Sequence, residues 1–289
     1  MKNPFFTGVC TALVTPFLGD KINYPLVERL LVNQMQSGVH AVVLSGTTGE
    51  SPTLTDDEKY TLFRRAKEFV GNDCLIIAGT GTNSTKKCVE LSRAAQDAGA
   101  DALLVVAPYY NKGNPEGLFS HYATIAEAVD LPLIVYNVPS RTGIDIPITV
   151  YQKLSKIPNI VGIKEASSDI TKVARTIATC GNEMPIWSGN DDQIVPVISL
   201  GGKGVISVIS NIFPAETVAM TNAALSGDFT TAAALQSTLM PLIDLMFCEV
   251  NPIPVKYAMS KIGFDCGGCR LPLAHLNSEN KKRIDAFFQ

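Results

Sequence analysis

Lys164 is the position in the chain with the most chemical potential. It follows Ile160-Val161-Gly162-Ile163, so it lies in or at the end of an apolar strand, where a cation is rarely kept without a partner or a task. The ordinary reading is an ion pair with Glu165 or a charge reaching solvent. The chemical reading is a nucleophile. An amine taken out of water sheds its proton more readily, and the neutral amine attacks a ketone to form a Schiff base. The position within the strand favours the second reading.

Tyr109, Tyr110 and Tyr136 also close apolar runs. A strand-end tyrosine usually packs its ring and leaves its hydroxyl at the rim. A phenol whose proton passes through a threonine hydroxyl is instead a relay, and general acid–base help of this kind is worth about 10²- to 10⁴-fold. The chain has 3 histidines, His40, His121 and His275, far apart in sequence, and the strand ends offer few carboxylates beyond Glu50 and Glu165. Tyrosine is the acid–base group left.

Gly46-Thr47-Thr48-Gly49 could hold a carboxylate on exposed N–H groups, though turn geometry and capping alone account for such letters equally well. Arg141 follows the tight Val138-Pro139-Ser140 turn, where a guanidinium could grip a carboxylate bidentately or simply meet solvent. Asn190-Asp191-Asp192 could suggest a divalent cation but reads better as a helix cap ahead of Ile194. Gly201-Gly202-Lys203-Gly204 precedes a strand, so it falls on the face opposite the other loops and makes a poor phosphate site.

What must position these groups is a repeating unit. Short apolar runs rich in β-branched residues recur at roughly the length of one strand–helix pair. They are Val9 to Val14, Ala41 to Ser45, Leu75 to Gly79, Ala102 to Ala107, Leu133 to Asn137, Ile160 to Lys164, Pro185 to Ser188 and Gly204 to Ser207. Their lack of polar alternation suits parallel strands buried on both faces. Helical periods with start signals lie between them: a capping box at Thr55-Asp56-Asp57-Glu58, Asn114-Pro115, and Ser168-Asp169. Eight repeats predict an α/β fold, a (β/α)8 TIM barrel over residues 1–214. Only helical periods follow, a C-terminal helical appendage over 215–289. An open doubly wound sheet is the alternative, but no GxGxxG follows the first strand.

The composition limits the partners. The chain has 289 residues, 46% of them hydrophobic and 18% charged, with a formal charge of -3, which predicts a full core and no basic footprint for nucleic acid. The N-terminal residues lack a sustained apolar stretch, and no run approaches a membrane span; a cytoplasmic protein with no membrane or nucleic-acid partner is expected. The 7 cysteines are scattered through apolar segments as reduced thiols would be. Cys266-Gly267-Gly268-Cys269 has metal-ligand spacing but lacks a second cysteine or histidine pair, and is read as a Gly-rich turn.

Taken together, the strand-end loops resemble those of the dihydrodipicolinate (4-hydroxy-tetrahydrodipicolinate) synthase family. The resemblance rests on Gly46-Thr-Thr-Gly-Glu50, Tyr109-Tyr110, Tyr136-Asn-Val-Pro-Ser-Arg-Thr-Gly143, Gly162-Ile-Lys-Glu-Ala166 and Ser188-Gly-Asn-Asp191. It runs in order from about Phe6 into the C-terminal helices. It implies a lyase, a class I aldol condensation of pyruvate with aspartate semialdehyde on the way to diaminopimelate and lysine, needing neither metal nor cofactor because a protonated imine is itself an electron sink. Carried over by residue, Lys164 would form the imine and Tyr136 would move the proton. Thr47 would bridge Tyr136 to a Tyr110 reaching in from a neighbouring subunit, which implies at least a dimer, with a homotetramer as the family's usual assembly. Thr48 and the backbone around Thr47 would hold the pyruvate carboxylate, Gly189 and Ile206 would line the site through main-chain groups, and Arg141 would bind the semialdehyde carboxylate.

One departure concerns regulation. In lysine-inhibited members the effector sits near positions corresponding to Ser51, Asp56, Lys59, Asn83, Lys87 and Tyr109, with histidines and a glutamate among them. Here Asp56, Lys59 and Lys87 stand there, and a cation in place of an anion repels a diamino acid. Weak or absent feedback by lysine is expected. The rival readings are a sugar-acid aldolase of the same superfamily (N-acetylneuraminate or 2-keto-3-deoxy acid lyase) and a non-catalytic keto-acid-binding protein. The Pro-Ser-Arg-Thr-Gly turn argues against the first and the intact relay residues against the second.

Overall fold

A computed structural model describes residues 2–289. The strands are β1 (Gly8–Ala12), β2 (Phe17–Leu18), β3 (Lys21–Ile22), β4 (Ala41–Leu44), β5 (Leu75–Gly79), β6 (Ala102–Val106), β7 (Leu133–Asn137), β8 (Ile160–Glu165), β9 (Ile186–Ser188) and β10 (Gly204–Ser207). All but β2 and β3 are parallel and close into a barrel in the order β1-β10-β9-β8-β7-β6-β5-β4. This is the (β/α)8 architecture expected from the repeats, and each expected run overlaps one barrel strand. β2 and β3 form a small antiparallel hairpin pairing Phe17 with Ile22; strands this short leave no periodicity to read.

The helices are α1 (Tyr24–Gln36), α2 (Asp56–Val70), α3 (Thr85–Asp97), α4 (Pro115–Glu127), α5 (Pro139–Thr142), α6 (Ile148–Leu154), α7 (Ile170–Cys180), α8 (Ile194–Ser199), α9 (Pro214–Leu225), α10 (Phe229–Met246), α11 (Ile253–Lys261) and α12 (Ser278–Phe287). Several begin where the sequence signals them. Thr55 and Glu58 cap α2 reciprocally, Asn114 accepts from Gly117 N–H at 2.8 Å, and Asp169 accepts from Lys172 N–H at 3.0 Å. After β10 the chain is helical; α9 packs against β1 and against α10.

Alternation along the strands divides the apolar residues into two layers. Inward positions such as Cys10, Val43, Ile77, Leu104, Ile134 and Ile206 fill the barrel, while Val42, Ile76, Leu103, Val135 and Ile163 face the helices. Phe6, just ahead of β1, stacks on Trp187 with ring centroids 4.8 Å apart and accepts the indole N–H on its carbonyl at 3.2 Å, filling the interior from its N-terminal end. No helix is long and apolar enough to cross a membrane among the described residues. All seven cysteines are free, as scattered apolar placement predicts.

Candidate active site

Register brings the chemistry together. Val106 pairs with Tyr136, Tyr136 with Lys164 and Lys164 with Trp187 across β6, β7, β8 and β9. Paired residues share a face, so these four point into the barrel. Lys164 is 5% exposed, and its Nζ lies 4.3 Å from the centroid of the Tyr136 ring. It forms no ion pair among the described residues, which removes the ordinary reading of a Lys164–Glu165 pair.

The reason is the strand's own geometry. Glu165, one residue on, points to the opposite face. There its carboxylate accepts from Asn137 Nδ2 at 2.9 Å, Tyr151 Oη at 3.2 Å and Ser167 N–H at 2.8 Å, with Lys172 Nζ at 3.9 Å. Glu165 thus fixes the C-terminal end of β8 from outside while Lys164 stays unpaired within.

Space for the lysine comes from a neighbouring glycine. A Cβ on Gly189 would stand 2.7 Å from the Ala166 Cβ and 3.1 Å from Lys164 Cε, so any side chain there would displace the amine. Likewise a Cβ on Gly162 would reach within 2.6 Å of the Trp187 ring. Ile206 is buried in the barrel interior on β10.

A cavity of about 320 Å³ opens at the C-terminal ends of the strands. Thr47, Tyr136 and Arg141 line it together with Tyr109, Lys59 and Asn251; Lys164, Thr48, Gly189, Ile206 and Tyr110 are not in its wall. Burial pushes the Tyr109 phenol above its usual range.

The Gly46–Glu50 loop is tightly held. Ser51 N–H donates to Gly46 O at 3.2 Å, Glu50 N–H to Thr47 O at 3.1 Å and Thr15 Oγ1 to Gly49 O at 2.7 Å. A Cβ on Gly79 would sit 2.1 Å from Ser45 O, so this end of β5 must be glycine for the loop to pass. The N–H groups of Thr47 and Thr48 have no acceptor among the described residues, which leaves them for an anion.

The relay expected from the resemblance is not hydrogen-bonded within the described residues. Tyr110, with φ 72°, is 89% exposed, and no hydrogen bond joins Thr47 to Tyr136 or Tyr110 among the described residues. Arg141 is exposed at the cavity rim and donates to Asn251 O at 3.2 Å.

Two features of the site were not legible in the sequence. Asn251, in the α10–α11 connection, donates from Nδ2 to Thr48 Oγ1 at 2.9 Å and holds Arg141 through its carbonyl; beside it the sequence shows only the Pro252-Ile253-Pro254 run. Glu50 and Lys256 form a buried pair at 2.8 Å, their side chains 0% and 2% exposed. Lys256 also donates to Thr15 O and Gly268 O, and Glu50 accepts from Arg270 N–H. The signal was a lysine set among the buried apolar residues of α11.

Asp191 corrects a sequence expectation. It does not cap the following helix; its Oδ2 accepts from Val208 and Ile209 N–H at 3.0 and 3.1 Å, at the end of β10. The carboxylate thus ties two strand ends together, and burial raises its pKa.

The model of the dihydrodipicolinate synthetase family matches residues 5–289. The chain belongs to that family. A 4-hydroxy-tetrahydrodipicolinate synthase from Thermoanaerobacter sp. is 46% identical over 278 residues, 96% of this chain and 94% of that one. One from Clostridium perfringens is 44% identical over 275 residues, 95% and 94% of the two chains. The dihydrodipicolinate synthase of Thermotoga maritima has a solved structure that superposes with a TM-score of 0.95 at 40% identity, covering 97% of each chain. Among the family's members, then, the likeness extends through the barrel and the C-terminal helices alike.

Proposed function

We propose that the chain is a 4-hydroxy-tetrahydrodipicolinate synthase, a lyase that condenses pyruvate with L-aspartate 4-semialdehyde through a Schiff base on Lys164 in diaminopimelate and lysine biosynthesis. The observation that carries the chemistry is a buried, unpaired Lys164 Nζ 4.3 Å from the centroid of the Tyr136 ring. The names of the curated relatives carry the substrates.

Lys164 Nζ attacks the pyruvate ketone carbon, and loss of water leaves the imine. The protonated imine draws electrons from the methyl carbon, which gives up a proton to form an enamine. The enamine carbon attacks the semialdehyde's aldehyde carbon, whose oxygen takes a proton. The substrate's own amine then displaces Nζ at the imine carbon, closing the ring and freeing the lysine.

Each residue has a place in this sequence. Tyr136 carries the protons, passing them through Thr47. Tyr110 completes the relay from a second copy, which its exposure in the single chain supports; we read the assembly as at least a dimer, and a homotetramer at its fullest. The free N–H groups at Thr47 and Thr48, with the Thr48 hydroxyl fixed by Asn251, hold the pyruvate carboxylate. Gly189 and Ile206 border the imine through main-chain groups, and Arg141 receives the semialdehyde carboxylate. No cofactor is required by these steps, and we place the enzyme in the cytoplasm with its pathway.

The test is substrate choice. Pyruvate with aspartate semialdehyde should give turnover, with N-acetylneuraminate and 2-keto-3-deoxy sugar acids left uncleaved. Cleavage of a sugar acid without condensation would make the chain a sugar-acid lyase, and pyruvate binding with no turnover on any of them would make it a keto-acid-binding protein.

A further inference from the structure

The outward faces of β7 and β8 change character at one place. Leu133, Val135 and Ile163 pack against the helices as apolar side chains, but the last register pair, Asn137 opposite Glu165, is polar, and the two are 0% and 5% exposed. The inward residues just before them are Tyr136 and Lys164, themselves a register pair. Strand pairing and packing need no carboxylate there, and an ion kept out of water is costly unless it is fully bonded.

Glu165 is fully bonded, by groups from four places in the chain. Its Oε1 accepts from Asn137 Nδ2 on β7 at 2.9 Å and from Ser167 N–H, beyond β8, at 2.8 Å. Its Oε2 accepts from Tyr151 Oη on α6 at 3.2 Å and has Lys172 Nζ of α7 at 3.9 Å. Lys172 also pairs with Asp145 and donates to Ile146 O at 2.9 Å. Asn137 gives its other amide hydrogen to Asp145 Oδ1 at 2.8 Å and accepts from Ile146 N–H at 3.0 Å. Burial, with Glu165 beside it, holds the Tyr151 phenol well above its usual range, so it stays a donor. On the main chain, Glu165 O accepts at 2.7 Å from the N–H of Gly189, the glycine that leaves room for Lys164 Cε.

We propose that Asn137 and Glu165, held by Tyr151 and Lys172, are positioning residues for the reaction: by locking the ends of β7 and β8 to each other from outside the barrel, they fix Tyr136 against Lys164 for the proton transfer that turns imine into enamine. None of the four lines the cavity, so each acts through the inward pair. A proton carrier misplaced by an ångström loses about 10²-fold in rate. The inference rests on the Schiff-base reading and puts the effect in the proton step, not in imine formation.

Hydrogen exchange isolates that step. With pyruvate alone in D2O, the imine's methyl carbon gives a proton to Tyr136 and takes back a solvent deuteron, so decay of the methyl NMR signal reports the transfer, while borohydride trapping on the same sample reports the imine. Wild type should do both. Glu165→Ala should still trap pyruvate but exchange about tenfold to a hundredfold more slowly per trapped site. Tyr151→Phe, which removes one donor and keeps the ring, should slow exchange by up to about tenfold. Glu165→Gln, which keeps an acceptor for Asn137 and Ser167, should recover most of the rate, and Ile163→Val, which loosens the same strand without touching the network, should exchange like wild type. Wild-type exchange in both Glu165→Ala and Tyr151→Phe overturns the proposal, as does exchange that falls only in proportion to trapping, the mark of lost folded protein. No adduct in wild type would overturn the Schiff-base reading and the proposal with it; an adduct whose exchange ignores the network overturns the proposal alone.

Discussion

Lys164 and Lys256 are both lysines taken out of water, and the structure treats them in opposite ways. Lys256 is satisfied on every side. It pairs with Glu50 at 2.8 Å, donates to Thr15 O and Gly268 O at 3.0 and 2.7 Å, and lies over the Phe17 ring at 4.3 Å. Lys164 has an aromatic ring and no ion pair among the described residues. A buried charge costs several kcal/mol to desolvate unless it is paired and hydrogen-bonded, so full satisfaction marks a structural lysine. Lys164, which lacks such partners, is free to serve as the nucleophile proposed above. The first lysine ties α11 and the chain around Gly268 to the Gly46–Glu50 loop; the second waits at the end of β8.

The comparison is broken most severely by changes at the tyrosine that accompanies Lys164. Tyr136→Phe keeps the ring beside Nζ and removes the proton carrier, so kcat should fall about 10²- to 10⁴-fold while the pyruvate adduct still forms. Unchanged turnover would show that the relay runs elsewhere.

Lys256→Met tests the opposite member. Removing one partner of a buried pair strands Glu50, which should cost about 3–5 kcal/mol, measured by denaturant unfolding against wild type. Pyruvate trapping on Lys164 should survive wherever the variant stays folded. A variant as stable as wild type would mean that the pair is not the clamp described.

The smallest effect is expected at Lys59, which is also buried. With Lys59 and Lys87 where lysine-inhibited members place other residues, millimolar lysine should leave turnover essentially unchanged. Half-inhibition by sub-millimolar lysine would contradict this.

How far the sequence revealed these lysines differs for physical reasons. The barrel strands were readable because parallel strands buried on both faces need unbroken apolar runs, and Leu75–Gly79, Leu133–Asn137 and Gly204–Ser207 occupy the expected limits. Lys164 stood out because it interrupts such a run. Lys256 did not, because a helix such as α11 carries lysine commonly and its partner Glu50 lies 206 positions away. Asn251 and Asp191 were misread or missed for the same reason. The letters around Asn251 carried no site signal and those around Asp191 suggested a cap, whereas their bonds go to Thr48 and to the end of β10. Tyr110 is a different case: it is exposed, and its expected place in the relay rests on the resemblance and on no contact within the chain.

The most direct test of the central claim is borohydride reduction in the presence of pyruvate followed by peptide mass spectrometry. A pyruvate-derived adduct on Lys164, absent from Lys164→Ala and accompanied in wild type by turnover with aspartate semialdehyde, is the predicted result. No adduct, or an adduct on Lys256 or Lys59 in place of Lys164, would contradict the assignment of the unpaired strand-end lysine as the nucleophile.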